Sequence, residues 1–89
     1  MTLLDKIKNH SAVVGVVGLG YVGLPLAVLQ AKTGYRVIGI EDRTEKVNLV
    51  NQGSNYISDV DSAELQHVVE AKQFVATTDF AKLEECDVV

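Results

Sequence analysis

The sequence predicts an α/β domain built on a parallel sheet, and three observations carry that prediction. Apolar runs rich in β-branched residues alternate with helix-patterned segments along the 89 residues. The first run, AVVGVV at 12–17, shows no polar alternation, as befits a strand covered on both faces. Directly after it, glycines at 18, 20 and 23 are spaced G-x-G-x-x-G ahead of a helical stretch.

Each element follows in order. Residues 3–8 (LLDKIK) have one apolar side and suit a short helix packed on the outside of the domain. After the glycines, Leu24, Leu26, Ala27, Val28, Leu29 and Ala31 mark a helix that ends at Thr33-Gly34. Pro25 falls in its first turn, where a missing N–H costs least, and Gly34 suits a left-handed cap. Residues 36–40 (RVIGI) are a second strand, closing on the acidic pair Glu41-Asp42. Thr44 is expected to cap a helix through about residue 51 that buries Val47 and Val50 or Leu49. Residues 51–60 (NQGSNYISDV), the longest polar stretch, read as a loop.

Asp61 starts the next helix, with Glu64 as its capping-box partner and Leu65, Val68 and Val69 as the apolar stripe. Residues 74–76 are a short strand, 77–83 a turn and short helix, and DVV at 87–89 opens another strand. With right-handed crossovers this gives a partial Rossmann-type doubly wound parallel sheet of about four strands with flanking helices. The strand starting at Asp87 then lies beside the first. A chain closing on apolar CDVV is expected to be part of something longer, with an unfinished sheet edge that favours homo-oligomers.

Composition narrows the function. Hydrophobic residues at 47% and charged residues at 22% describe a globular chain. At this length it is one small domain that buries roughly 60–65% of its unfolded surface. A net charge of −4 with scattered basic residues argues against nucleic acid, whose phosphates demand a basic face. No apolar run approaches the roughly 20 residues that span a bilayer, so no membrane partner is expected. MTLLDKIKNH lacks the order of a signal peptide, which points to the cytoplasm. Cys86, the single cysteine, allows neither an internal disulfide nor a metal cluster. His10 and His67 read as surface residues.

Each glycine has a physical task in a dinucleotide site. Gly18 turns the chain off the strand, Gly20 lets backbone approach a pyrophosphate, and Gly23 lets helix and strand pack closely. The pyrophosphate would sit on the N–H groups at the helix N-terminus. Glu41, at the end of the next strand, can accept hydrogen bonds from both hydroxyls of an adenosine ribose, and Asp42 can share or take over that role. Carboxylates here repel a 2′-phosphate, so NAD is favoured over NADP, although Arg43 can pair with such a phosphate. The alternative is that the glycines make only a tight strand-to-helix connection.

VVGVVGLGYVGLPLA at 13–27 closely resembles the opening of the UDP-glucose/GDP-mannose dehydrogenase family, whose signature is G-x-G-Y-V-G-L-P-L-A. The resemblance continues through GYRVIGIE, EKVNLVNQGSNYISDV and FVATTDFAKLEECDVV, nearly the whole chain. NYISDV at 55–60 is similar to the S-Y-I-x-D-V variant of the UDP-N-acetylhexosamine dehydrogenase branch. Members oxidise the C6 hydroxyl of a nucleotide sugar to a carboxylate with two NAD. The resemblance implies that Tyr21 and Val22 meet the cofactor with their backbone N–H groups, that Glu41 holds the ribose and that Lys46 lies near the adenosine. Lys46 reads equally as a solvated helix side chain.

Two departures stand out: the family's acid at 41 is usually Asp, and position 58 is Ser where the branch often has an acid. The family's catalytic cysteine and lysine match no position in 1–89, and Cys86 reads as a small buried residue. The expectation is an N-terminal part of an NAD-binding domain, 1–89, that binds NAD but lacks the substrate domain and catalytic residues. A non-catalytic nucleotide-binding or regulatory module is the alternative.

Overall fold

The computed structural model describes residues 2–9, 11–56 and 60–89. The chain runs α1 (Leu3–Lys8), β1 (Val13–Val17), α2 (Gly23–Thr33), β2 (Arg36–Ile40), α3 (Thr44–Asn51), α4 (Ser62–Glu70), β3 (Phe74–Thr77) and a 3-10 helix (Phe80–Glu85). The three strands are parallel in the order β1-β2-β3, with Val14 opposite Val37 and Val37 opposite Phe74. Val88 makes a parallel bridge to Val14 on the free side of β1. The spatial order is therefore 3-2-1 with the 87–89 segment next, as in one half of a doubly wound sheet.

The register divides the apolar runs between two faces. Val16, Val37, Phe74 and Ala76 point into one core with Leu24, Ala27 and Val28 of α2, Val47 and Val50 of α3, and Leu65 and Val68 of α4. On the opposite face the 3-10 segment brings Leu83 and Cys86 against Gly15, where a Cβ would sit 2.7 Å from the Cys86 Sγ. Val17 and Val75 stay about half-exposed there, so the described residues cover the second face only in part.

Four local expectations are corrected. The 87–89 segment pairs as a single parallel bridge, Val88 to Val14, and at its start the Asp87 carboxylate accepts the Val13 N–H at 2.8 Å in place of a strand carbonyl. Arg43, not Thr44, is the N-cap of α3 and makes no side-chain cap bond. Its N–H is drawn to Glu41 Oε2 at 3.0 Å, which holds residue 43 extended as the cap, so the helix starts at Thr44, one residue earlier than a Thr44 cap would give. Asp61 does cap α4, accepting from the N–H groups of Ala63 and Glu64. The Glu64 side chain does not complete the box; it pairs with Lys32 of α2 at 2.8 Å. Finally, Leu3, Leu4 and Ile7 of α1 are exposed, and Tyr35 Oη ties the helix to the domain by donating to the Ile7 carbonyl at 2.9 Å.

Gly34 ends α2 at φ 115°, as its position after the helix requires. At the outer edge of the sheet, the Asn51 amide pairs with both backbone groups of Ala76, each at 2.9 Å. That side chain occupies strand-edge groups that another chain would otherwise find.

Candidate functional site

The glycine turn sits at the carboxyl end of β1, where α2 begins. Gly18 has φ +85°, a left-handed conformation natural to glycine, and its N–H donates to the Ile40 carbonyl at 2.8 Å. A Cβ on Gly23 would lie 1.7 Å from the Gly18 carbonyl oxygen, so only glycine lets α2 start this close to the loop. A Cβ on Gly20 would meet nothing within 4 Å. These are the three tasks expected of the motif: turning, close packing and an open approach.

The donors complete the cradle. The first intrahelical bond of α2 runs from the Leu24 N–H to the Gly20 carbonyl at 3.1 Å. Among the described residues, the N–H groups of Gly20, Tyr21, Val22 and Gly23 meet no acceptor. The helix has no side-chain cap and no acid in its first turn. Unneutralised donors at the positive end of a helix dipole suit an anion. They border an open groove of about 740 Å³ lined by Gly18, Gly20, Tyr21, Val22, Leu26 and Val89. Tyr21 and Val22 are 78% and 80% exposed, and both line the groove.

The acid at the end of β2 is placed differently from one freely presented at a strand end. Glu41 is only 5% exposed, with Oε1 accepting the Leu19 N–H at 2.9 Å and Oε2 accepting the Arg43 N–H. Burial pushes its pKa up, but the Leu19 and Arg43 hydrogen bonds, a hydrogen bond with Asp42 and the Lys46 charge together hold it below its ordinary value. Of its roughly four acceptor sites the carboxylate keeps one for a further donor. Asp42 beside it is exposed.

Two residues that sequence reasoning passed over complete the site. Tyr56 Oη donates to the Leu19 carbonyl at 2.5 Å, and Lys46 Nζ lies 5.9 Å from the centre of the Tyr56 ring. Burial, then the Glu41 charge, raises the Tyr56 phenol to about 12, so it stays a donor. Gly39 faces the Leu19 side chain, where a Cβ would come within 2.9 Å of both Leu19 and Phe74. A glycine inside a strand signals such an approach, and that signal was available at 39. Tyr56 sat in a polar stretch with no periodicity to mark it.

The remaining candidates are peripheral. Cys86 is half-buried, and burial, then the charges of Glu85 and Asp87, raises its pKa and keeps the thiol protonated. His67 is exposed on α4. His10 and Ser58 lie outside the described residues. No described helix is long and apolar enough to cross a membrane.

A parallel sheet, a glycine turn with unpaired amides over an open groove and an acid ending the next strand define a dinucleotide-binding α/β domain. Residues 12–89 match the NAD binding domain of the UDP-glucose/GDP-mannose dehydrogenase family, and the chain belongs to that family. It is 40% identical over 75 residues to the UDP-N-acetyl-D-glucosamine 6-dehydrogenase of Pseudomonas aeruginosa, covering 84% of this chain and 17% of that protein. Over 44 residues it is 43% identical to the UDP-N-acetyl-D-mannosamine dehydrogenase of Pyrococcus horikoshii, covering 49% of this chain and 10% of the relative. The structure of the NDP-N-acetyl-D-galactosaminuronic acid dehydrogenase of Methanosarcina mazei Go1 superposes with a TM-score of 0.76 at 30% identity. That superposition covers 99% of this chain and 21% of the other. The chain thus spans between 10% and 17% of these two curated relatives.

Proposed function

We propose that the chain is the N-terminal part, 1–89, of the NAD-binding domain of a UDP-N-acetylhexosamine 6-dehydrogenase, an enzyme of nucleotide-sugar metabolism that serves polysaccharide biosynthesis. The observation that carries this reading is the run of four unpaired N–H groups, Gly20 to Gly23, over the open groove at the uncapped start of α2. These amides hold the pyrophosphate, and the bare Gly20 lets it come within hydrogen-bond distance. Glu41, with its remaining acceptor capacity, and the exposed Asp42 receive the ribose hydroxyls, while Lys46 flanks the adenosine.

When bound, NAD supplies the hydride acceptor for oxidation at C6 of the sugar. The residues of this chain bind and orient; the nucleophile and the sugar site belong to other parts of the enzyme, so 1–89 alone binds without turnover. The whole enzyme is read as a cytoplasmic homo-oligomer. The test is calorimetric titration of the full-length protein with NAD and NADP, followed by turnover with UDP-N-acetylglucosamine and UDP-N-acetylmannosamine. The expected result is NAD binding at least about 10-fold tighter than NADP, a difference of about 1.4 kcal/mol. Equal affinity for the two cofactors, or no reduction of NAD with either sugar, refutes the reading.

A further inference from the structure

Leu19 is held more firmly than any other residue of the glycine turn. Its side chain is fully buried against Gly39 and Phe74, its N–H donates to Glu41, and its carbonyl accepts from Tyr56. That carbonyl has a second natural suitor. In an α-helix the N–H of residue i bonds the carbonyl of residue i−4, and for Gly23 that acceptor is Leu19. The helix ladder nevertheless begins one residue later, at Leu24 to Gly20, and Gly23 meets no acceptor among the described residues.

The peptide joining Leu19 to Gly20 is trans, and in a trans peptide the C=O and N–H point in opposite directions. Drawing the Leu19 carbonyl toward Tyr56 therefore sends the Gly20 N–H the other way, toward the groove that Gly20 lines and Tyr56 does not. Tyr56 is itself steadied by packing on the core and by Lys46 of α3 over its ring.

We propose that Tyr56 is a positioning residue for the pyrophosphate site: by holding the Leu19 carbonyl turned toward itself and away from the start of α2, its hydroxyl keeps that oxygen out of line with the Gly23 N–H and aims the Gly20 N–H at the ligand. The proposal rests on the NAD-binding reading above. It assigns no contact between Tyr56 and the cofactor; the residue acts through the backbone of Leu19.

The test compares wild type and Tyr56→Phe in the full-length protein by NAD titration and by amide hydrogen exchange at Gly23. In the variant the Leu19 carbonyl, no longer held toward residue 56, turns to accept the Gly23 N–H and swings the Gly20 N–H from the groove, so exchange at Gly23 slows without ligand and NAD affinity falls about 10-fold, the scale of one charge-assisted hydrogen bond. A merely structural role predicts the reverse at Gly23, faster exchange along with the rest of the domain, and that result overturns the proposal. Unchanged NAD affinity in the variant overturns it too. Should the variant not fold, wild type alone decides: its Gly23 amide must exchange freely without ligand and become protected with NAD, and protection without ligand is refuting. A wild type that binds no NAD overturns the parent reading and this proposal together, whereas normal NAD binding with an indifferent Tyr56→Phe overturns only the proposal.

Discussion

Substituting alanine at Gly18, Gly20 and Gly23 in turn should separate three physical roles that one motif combines. At Gly23 the new Cβ would lie 1.7 Å from the Gly18 oxygen and 2.9 Å from its carbon, where real Cβ contacts essentially never fall under 3.0 Å. The nearest atom is backbone, so a side-chain rotation cannot relieve the clash. Either the turn moves, breaking the Gly18 N–H bond to Ile40 and unseating Leu19, or the start of α2 lifts and exposes the fully buried Leu24 and Ala27. Overpacking costs about 1–3 kcal/mol and a buried backbone group left unpaired about 1–3 more, together about 2–6 kcal/mol. That is a large share of the roughly 5–15 kcal/mol that holds a domain together.

At Gly18 the Cβ meets nothing, but φ is +85°, and left-handed backbone costs a side-chain-bearing residue about 1–2 kcal/mol. At Gly20 neither penalty applies; alanine there stabilises by up to about 1 kcal/mol through the unfolded chain. Its methyl group instead projects into the space the pyrophosphate needs, so NAD affinity should fall about 10-fold or more while stability holds. Denaturant midpoints and calorimetric NAD titration of the three full-length variants measure both quantities. The expected order of destabilisation is 23, then 18, then 20, with the loss at 20 confined to binding. If Gly20→Ala destabilises as much as Gly23→Ala, or Gly23→Ala lies within about 0.5 kcal/mol of wild type, the steric assignment is wrong.

Two further outcomes follow from the same region. Because the folded Glu41 carboxyl lies below its ordinary 4.5, it stabilises the fold above that pH, and this contribution disappears as pH falls through the lower folded value. Glu41→Gln should flatten that acid limb in denaturation measured across pH, and an unchanged limb would contradict the clamp on Leu19. Asn51→Leu leaves both backbone groups of Ala76 unpaired at the sheet edge and should cost about 1–3 kcal/mol in the same assay. A neutral result would mean that water replaces the amide.

What the sequence disclosed, and what it withheld, divides along the distance between partners. Strands and helices announced themselves through runs and periodicities of neighbouring residues, and the glycine spacing announced the turn, because each rests on local geometry. The errors at Thr44 and Glu64 have another source. Their propensities were read correctly, but Glu41 captured the Arg43 N–H and Lys32 captured the Glu64 carboxylate. Each competitor was a partner that a local pattern does not weigh. The clamp on Leu19 is the extreme case, joining residues 19, 41 and 56 from three segments, and no spacing rule links a phenol in a polar loop to a carbonyl in a glycine turn.

Glu41 shows how this changes the functional reading. From position alone it is an acid waiting for a ribose. In the fold it also secures the loop that would hold the pyrophosphate, so removing it should loosen both ends of the adenosine diphosphate at once. If the carboxylate has both duties, the usual one-residue test is ambiguous. Glu41→Gln, which keeps an oxygen for the Leu19 N–H but loses the charge, is therefore the more discriminating change than Glu41→Ala. If Leu19 anchoring dominates, Glu41→Gln should retain most of the NAD affinity that Glu41→Ala loses; if ribose binding dominates, the two variants should fall together.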